Sequence, residues 1–168
     1  MDSTTTSMGR LFDAVAALCG FTREVSFEGQ AAIWLEHAAR RSPAVAAYPF
    51  PFDGAELDFR PLLDAVIADR LRGRAIPEIA RAFHEAVARG VRDAGGALCA
   101  AHGLDTIVLS GGVFQNVLLT ARIRELFPEG GDGPRIWVNR KVPPNDGGIS
   151  LGQAALVARV TAPHRRGR

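Results

Sequence analysis

The sequence predicts an α/β domain, on three observations. Ile107-Val108-Leu109 is a short apolar run rich in β-branched residues, and Gly111-Gly112 follows almost at once, as when a strand runs into a glycine turn. Beyond the turn Val113, Val117, Leu118, Ile123 and Leu126 recur at helical intervals. A second unit of the same kind follows, with residues 135–138 as its strand and Gly147-Gly148 opening the last helix. One helix between two strands is the spacing of a parallel crossover. Strand 106–109 is therefore expected to be central and parallel to strand 136–138, with both glycine turns at the same edge of the sheet.

The remaining elements follow from local pattern. The Thr/Ser run at residues 3–7 is an N-cap region. After it Leu11, Phe12, Val15, Ala16 and Leu18 form a helical stripe that Gly20 closes, with Asp13 off the stripe. Residues 25–27 read as a short strand. A helix over 30–41 is expected to bury Ile33, Trp34, Ala38 and Ala39, to leave His37 at the surface and to stop at Pro43. Residues 46–50 and 56–59, parted by Pro51 and Gly54, read as a β-hairpin or two edge strands. Pro61 suits the first position of a helix over 61–71, with Leu62, Leu63, Val66 and Ile67 inward and Gly73 ending it. The longest helix, 77–102, carries Ile79, Phe83, Val87, Val91, Ala94 and Leu98 on one core face. Gly90, Gly95 and Gly96 weaken it by about 1 kcal/mol each relative to Ala, and so mark a kink or a close neighbour. His84, a lone helical histidine, reads as packed or surface rather than as a ligand. Residues 129–134 form a glycine-rich loop, and Asp146 stands where it would N-cap a helix over 147–160. That helix packs through Ile149, Leu151, Ala154, Ala155 and Val157.

Composition narrows the class. At 168 residues the chain is one domain or part of a larger one. Hydrophobic residues at 47% and charged residues at 23% are typical of soluble globular chains. No run approaches the roughly 18 apolar residues of a membrane span, and the start carries no secretion signal. Cys19 and Cys99 stand far apart with no partner at ligand spacing, which suits buried thiols in a reducing cytoplasm. The net charge is +2, but Arg165, Arg166 and Arg168 crowd the end of the chain. The body is near neutral, and no basic face for nucleic acid is expected.

The chemistry concentrates at the two glycine turns. Gly111 and Gly112 leave backbone N–H groups facing the crevice at a strand end, which is either a site for an anionic ligand or an ordinary strand-to-helix turn. Asn116 is expected in the first helical turn, exposed, with its amide reaching the same crevice. Asp146 reads either as an N-cap worth about 1 kcal/mol or as a metal ligand. The sequence holds no G-x-x-x-x-G-K-[ST] loop and no G-x-S-x-G elbow, which argues against a P-loop enzyme and an α/β-hydrolase.

Five blocks carry a family resemblance. They are Ser7-Met-Gly-Arg-Leu-Phe-Asp-Ala-Val-Ala-Ala17, Phe27-Glu-Gly-Gln-Ala-Ala32, Phe83-His84, Leu109-Ser-Gly-Gly-Val-Phe-Gln-Asn116 and Val142-Pro-Pro-Asn-Asp-Gly-Gly-Ile-Ser-Leu-Gly-Gln153. In this order they resemble the C-terminal part of HypF, the carbamoyltransferase family of NiFe-hydrogenase maturation. The likeness to the TsaD family of tRNA threonylcarbamoyl transferases is looser: its first block usually reads Gly-Glu-Ala-Phe-Asp, against Gly9-Arg-Leu-Phe-Asp13 here.

The resemblance implies a lobe of the actin-like ATPase (ASKHA) type, a mixed sheet with flanking helices. Residues 1–160 would be the C-terminal half of the carbamoyltransferase domain, and 161–168 a disordered basic tail. It further implies ATP and a carbamoyl-adenylate, whose carbamoyl group goes to the C-terminal cysteine of HypE, in the cytoplasm and without nucleic acid or membrane. By position Asp13 matches the carboxylate that binds the nucleoside and Gly29 a backbone contact to the same ligand. Gly111, Gly112 and Asn116 match the second nucleotide-binding turn, and Asp146 matches a ligand of a divalent metal, zinc or iron. The family's His-x-x-x-His pair has no counterpart among His37, His84, His102 and His164, so the metal site is expected to be partial. The chain then reads as a piece of a longer HypF, inactive alone, with the N-terminal lobe supplied by the rest of that protein or in trans. Its alternatives are a stand-alone nucleotide-binding or interaction remnant and a lobe of a sugar-kinase-like ASKHA protein.

Overall fold

Helix α4 (Ile76–His102) is the element on which the others are assembled. Pro77 starts it, Glu78 and His102 stand at the ends that the helix dipole favours, and Gly103 in the left-handed conformation (φ 65°) closes it. Its first half is rich in alanine, and from Ile79 to Ala88 every residue but the half-buried Arg81 is buried. The single core face expected from periodicity is exceeded in the first half, and in the second half Val91 and Ala94 are half-buried while Leu98 is exposed and Cys99 is buried in its place. Small side chains at Ala80, Ala82, Ala86 and Ala88 let neighbours close in from several sides. Those neighbours are α2 (Gln30–Ala39), α3 (Arg60–Leu71) and α5 (Val117–Leu126), while α1 (Met8–Leu18) packs on α2 and α3. Phe12, Leu35, Leu62, Val66, Phe83, Leu119 and Ile123 meet in one core.

This computed structural model describes residues 6–128, 130–131 and 133–161. The tail beyond residue 161, Glu129 and Asp132 of the glycine-rich loop, and the first residues of the Thr/Ser run lie outside the described residues. Strands β1 (Thr106–Leu109) and β2 (Arg135–Val138) pair in parallel, with Thr106 opposite Arg135 and Leu109 opposite Val138. The crossover through α5 is as the sequence predicts. Ile107, Leu109, Ile136 and Val138 point at the helices, whereas the cross-strand pair Val108 and Trp137 is 62% and 57% exposed. Among the described residues no helix is long and apolar enough to cross a membrane.

Several expectations change. Among the described residues the sheet holds β1 and β2 alone, so it is a small parallel sheet, not a mixed one, and β1 is not central. Residues 25–27 form no strand: the chain bends at Ser26 and Phe27, where the Ser26 N–H donates to Gln30 Oε1 at 2.8 Å and so belongs to the entry of α2. The hairpin reduces to one antiparallel bridge, Phe52 to Leu57. Helix α2 buries Ala38 and Ala39 as expected, but Leu35 and Glu36 are buried as well, Trp34 is half-buried and Ile33 is exposed. Helix α6 (Ile149–Thr161) buries none of its expected packing residues, and Ile149, Leu151, Leu156 and Val157 are each more than half exposed.

The helix is continuous through the glycines of α4, and Gly90 and Gly95 mark close neighbours while Gly96 does not. A Cβ at Gly90 would lie 2.7 Å from the buried Phe50 ring, whereas at Gly96 it would meet nothing within 4 Å. Gly90→Ala should therefore lower stability by about 1 kcal/mol net, because an overpacking cost of ~1–3 kcal/mol exceeds a propensity gain of up to ~1 kcal/mol. Gly96→Ala should raise stability by up to about 1 kcal/mol. Urea unfolding of the two variants should shift the midpoint in opposite directions.

Candidate functional site: two glycine turns at the strand ends

Because β1 and β2 run side by side in one direction, both deliver the chain into a turn at the same end of the sheet. After β1, Gly111 adopts φ 103° and ψ 160°, a conformation that side chains disfavour. Its N–H donates to the Pro144 carbonyl at 2.6 Å, which joins the two turns directly. A 3-10 turn, Gly112–Gln115, follows, with Gly111 and Gly112 exposed. After β2 a second 3-10 turn, Asp146–Gly148, precedes α6. A Cβ at Gly148 would stand 2.9 Å from the Pro143 carbonyl oxygen, so the backbone folds tightly on the preceding prolines.

The second turn differs from expectation in its cap. Asn145 Oδ1 accepts from the Gly147 N–H at 3.1 Å, so Asn145 is the cap and Asp146 is the first residue of the turn, exposed to solvent. An Asn whose carbonyl reaches two residues ahead makes the same turn that an Asp would.

Asn116 also departs from its expected place. It is the N-cap of α5, before the first turn, and it is 9% exposed. Its Oδ1 accepts from the Leu119 N–H at 2.9 Å and its Nδ2 donates to His84 Nε2 at 2.9 Å. His84 is 1% exposed and its Nδ1 lies 2.7 Å from the Ala80 carbonyl. A neutral ring protonated on Nδ1 satisfies both bonds, and no other tautomer does. Burial disfavours the charged ring and pulls the His84 pKa down to about 4.

The start of α5 is closed as well by Glu36, which sequence reasoning did not single out. Its Oε1 accepts from the N–H groups of Val117 at 3.1 Å and Leu118 at 3.2 Å, and it pairs with Arg40. The first three N–H groups of α5 thus have protein partners, and the helix N-terminus is not the open anion site that the glycine pair suggests. The signal for Glu36 was its place between Leu35 and the alanines of a buried stripe. A periodic reading sets such a charge on the outer face, and only the arrival of α5 makes an inner position tolerable.

Asp13 lies on α1, partly exposed, with Arg10 at 3.6 Å. Its neighbour Phe12 packs edge-on against Phe83 and His84, at 4.8 and 5.4 Å between ring centroids, and α1 touches the first 3-10 turn. Gly29, exposed and left-handed at φ 80°, starts α2. The structure thus joins Gly111, Gly112 and Asn116 in one turn, bonds that turn to the loop before Asp146, and rests the helix of Asp13 on it. Gly29 connects only through α2, whose Glu36 reaches the same place. Among the described residues no three His, Cys, Asp or Glu side chains gather as a metal-binding group. A groove of about 590 Å³, lined by Cys99, Leu104, Asp105 and Phe127 among others, lies at the opposite end of β1.

Comparison with known proteins supplies a family. The model of "Carbamoyltransferase, Kae1-like Domain, second subdomain" matches residues 2–153. Carbamoyltransferase HypF of Synechocystis sp. is 37% identical over 163 residues, covering 94% of this chain and 20% of the relative. The HypF of Rhizobium leguminosarum is 37% identical over 156 residues, covering 93% and 20%. The crystal structure of full-length HypF in the phosphate- and nucleotide-bound form aligns with a TM-score of 0.79 and 38% identity, over 92% of this chain and 24% of that one. The HypF of T. kodakarensis aligns with a TM-score of 0.80 and 29% identity, over 92% and 20%. The chain spans about a fifth of the length of these curated relatives.

Asn116→Ala removes a helix cap, about 1 kcal/mol, and leaves the His84 ring nitrogen buried without a partner, about 1–3 kcal/mol. A loss of roughly 2–4 kcal/mol is expected in chemical denaturation. The His84 pKa is lowered on folding, from its ordinary 6.5 to about 4. Its contribution is therefore fully present above pH 6.5, falls as the pH drops towards 4 and levels off below that. The loss should approach about 3 kcal/mol, and His84→Gln should flatten that part of the stability–pH curve.

Proposed function

The chain belongs to the HypF carbamoyltransferase family, and we propose that it contributes the nucleotide and metal turns of an enzyme that moves a carbamoyl group from carbamoyl-adenylate to the C-terminal cysteine of a HypE-like acceptor, in the synthesis of the cyanide ligands of NiFe-hydrogenase. The observation that carries this reading is the Gly111 N–H to Pro144 carbonyl bond. It sets the turn that leads to Asn116 against the loop that leads to Asp146. In this reading the domain is the second lobe of an actin-like ATPase fold.

Asp13, partly exposed and paired with Arg10 at 3.6 Å, accepts from the ribose hydroxyls, for which a carboxylate with two acceptor oxygens is suited. Gly29 and the Gly111–Gly112 turn, exposed and without side chains, let the ligand approach the backbone. Asn116 acts differently from Asp13: its amide is bonded to Leu119 and His84, so it holds the turn in place. Asp146, relieved of capping by Asn145, offers its carboxylate to a divalent metal, zinc or iron. Such a metal, when bound, supplies Lewis acidity at the carbamoyl carbonyl. One carboxylate fits part of a coordination sphere, since catalytic sites take about three protein ligands. The remaining ligands come from another lobe, in the same protein or in trans. The exposed Val108, Trp137, Leu151, Leu156 and Val157 suit a surface that such a lobe covers.

The test combines this chain with the remainder of a HypF relative, ATP, carbamoyl phosphate and HypE, and follows cysteine carbamoylation by mass spectrometry. Transfer is expected only when the remainder is present, and turnover by the 168 residues alone would remove the need for a second lobe. Asp146→Ala should reduce transfer at least about 100-fold, more than is usual for residues behind the ligands, with stability unchanged within ~0.5 kcal/mol. Asp13→Asn should weaken nucleotide binding by about tenfold, as expected for the loss of one charged hydrogen bond. Unchanged affinity would remove Asp13 from the site.

A further inference from the structure

We propose that Glu36 is a positioning residue for the glycine turn: from α2, its carboxylate closes the start of α5 and thereby fixes the break in the chain at Asn116 that orients Gly111 and Gly112. The inference rests on the nucleotide reading above for its consequence, and on geometry for its mechanism. A helix begins with N–H groups that have no partner within the helix. In α5 those of Val117 and Leu118 donate to Glu36 Oε1, and that of Leu119 donates to Asn116 Oδ1. Glu36 is far from these residues in sequence, and its side chain is only 10% exposed although its ion-pair partner Arg40 is 48% exposed. A carboxylate whose sole task was to balance Arg40 would have no reason to turn inward.

The closure limits where the chain can bend. Asn116 is extended (φ −66°, ψ 107°) between a 3-10 turn on one side and α5 on the other. Glu36 holds the α5 side of that break and His84 holds the Asn116 side chain from behind. The turn is therefore anchored at both ends, by Pro144 at Gly111 and by Glu36 at Val117. The closure also has a charge consequence. An anionic group approaching Val117–Leu119 would meet a carboxylate already in place, so the region left for a phosphate-bearing ligand is the exposed Gly111–Gly112 turn. Glu36 touches no ligand in this account.

Amide hydrogen exchange and ADP titration of the 168-residue chain test the proposal, at a temperature where thermal melts show each variant folded. In Glu36→Ala, exchange should quicken at Val117 and Leu118, and also about tenfold at Gly111, while Val87 in the core is unchanged. ADP should bind about tenfold more weakly. Glu36→Gln keeps the acceptor oxygen and should restore both readouts to within a few-fold of wild type. Glu36→Asp, which keeps the charge but loses reach, should behave as the alanine variant does and serves if that variant fails to fold. Faster exchange confined to Val117 and Leu118, with unchanged ADP affinity, would reduce Glu36 to a local cap and overturn the proposal. Failure of the wild-type chain to bind ADP would instead overturn the nucleotide reading, and the exchange at Gly111 would still decide for or against positioning by Glu36.

Discussion

The arrangement of this domain depends on satisfying polar groups where α4 and α5 meet. Asn116 brings an amide and His84 an imidazole into the interior, and each would destabilise the fold if left without a partner. They answer one another: Asn116 donates to the ring, the ring donates to Ala80, and the Asn116 carbonyl caps α5. Glu36 completes the arrangement from a third helix. Because each group has one geometry that satisfies it, the network selects a single packing of α2, α4 and α5, where apolar contact alone would tolerate several.

A second set of charges reinforces the same helix pair. Glu85 on α4 is 3% exposed and receives Arg122 of α5 at 2.8 Å and Arg81 at 3.3 Å. Breaking such a pair from one side strands a buried charge, so α5 is held along its length as well as at its start. Elsewhere, Tyr48 donates to Asp69 and Arg74 pairs with the same carboxylate, which keeps Asp69 below the usual carboxylate range, while burial first and the bond to Asp69 second raise the Tyr48 phenol. The two strands contribute little core of their own. Their role is directional: they aim two turns at one place, on a helical scaffold stiff enough to keep them there.

The two asparagines at those turns divide the work in a way that bears on function. Asn145 closes the second turn and leaves Asp146 facing solvent, while Asn116 closes the first and is itself enclosed. In the proposed site the groups left open to a ligand are the backbone at Gly111–Gly112 and the carboxylates of Asp13 and Asp146. Val108, Trp137 and the apolar residues of α6 also remain exposed, and they are the residues that the folded helices leave uncovered.

The sequence by itself determined the helices, the two strands and their parallel sense. Those follow from periodicity, from Pro61 and Pro77 at helix starts, from Gly20 and Gly73 at helix ends, and from a crossover of fixed length, all of which are local. It also placed the two turns together, because parallel neighbours must end on the same side. Only the tertiary structure decided which face of α2 is buried, which asparagine caps and which carboxylate stays free. Whether Glu36 points in or out depends on α5 arriving with two unpaired N–H groups, and whether Asn116 is exposed depends on a histidine 32 residues away. Such choices are set by partners distant in the chain, and local pattern carries no record of them. The same reason explains α6, whose apolar residues read as core although nothing among the described residues covers them. A pattern states that a face seeks a partner, and only the fold states where that partner is.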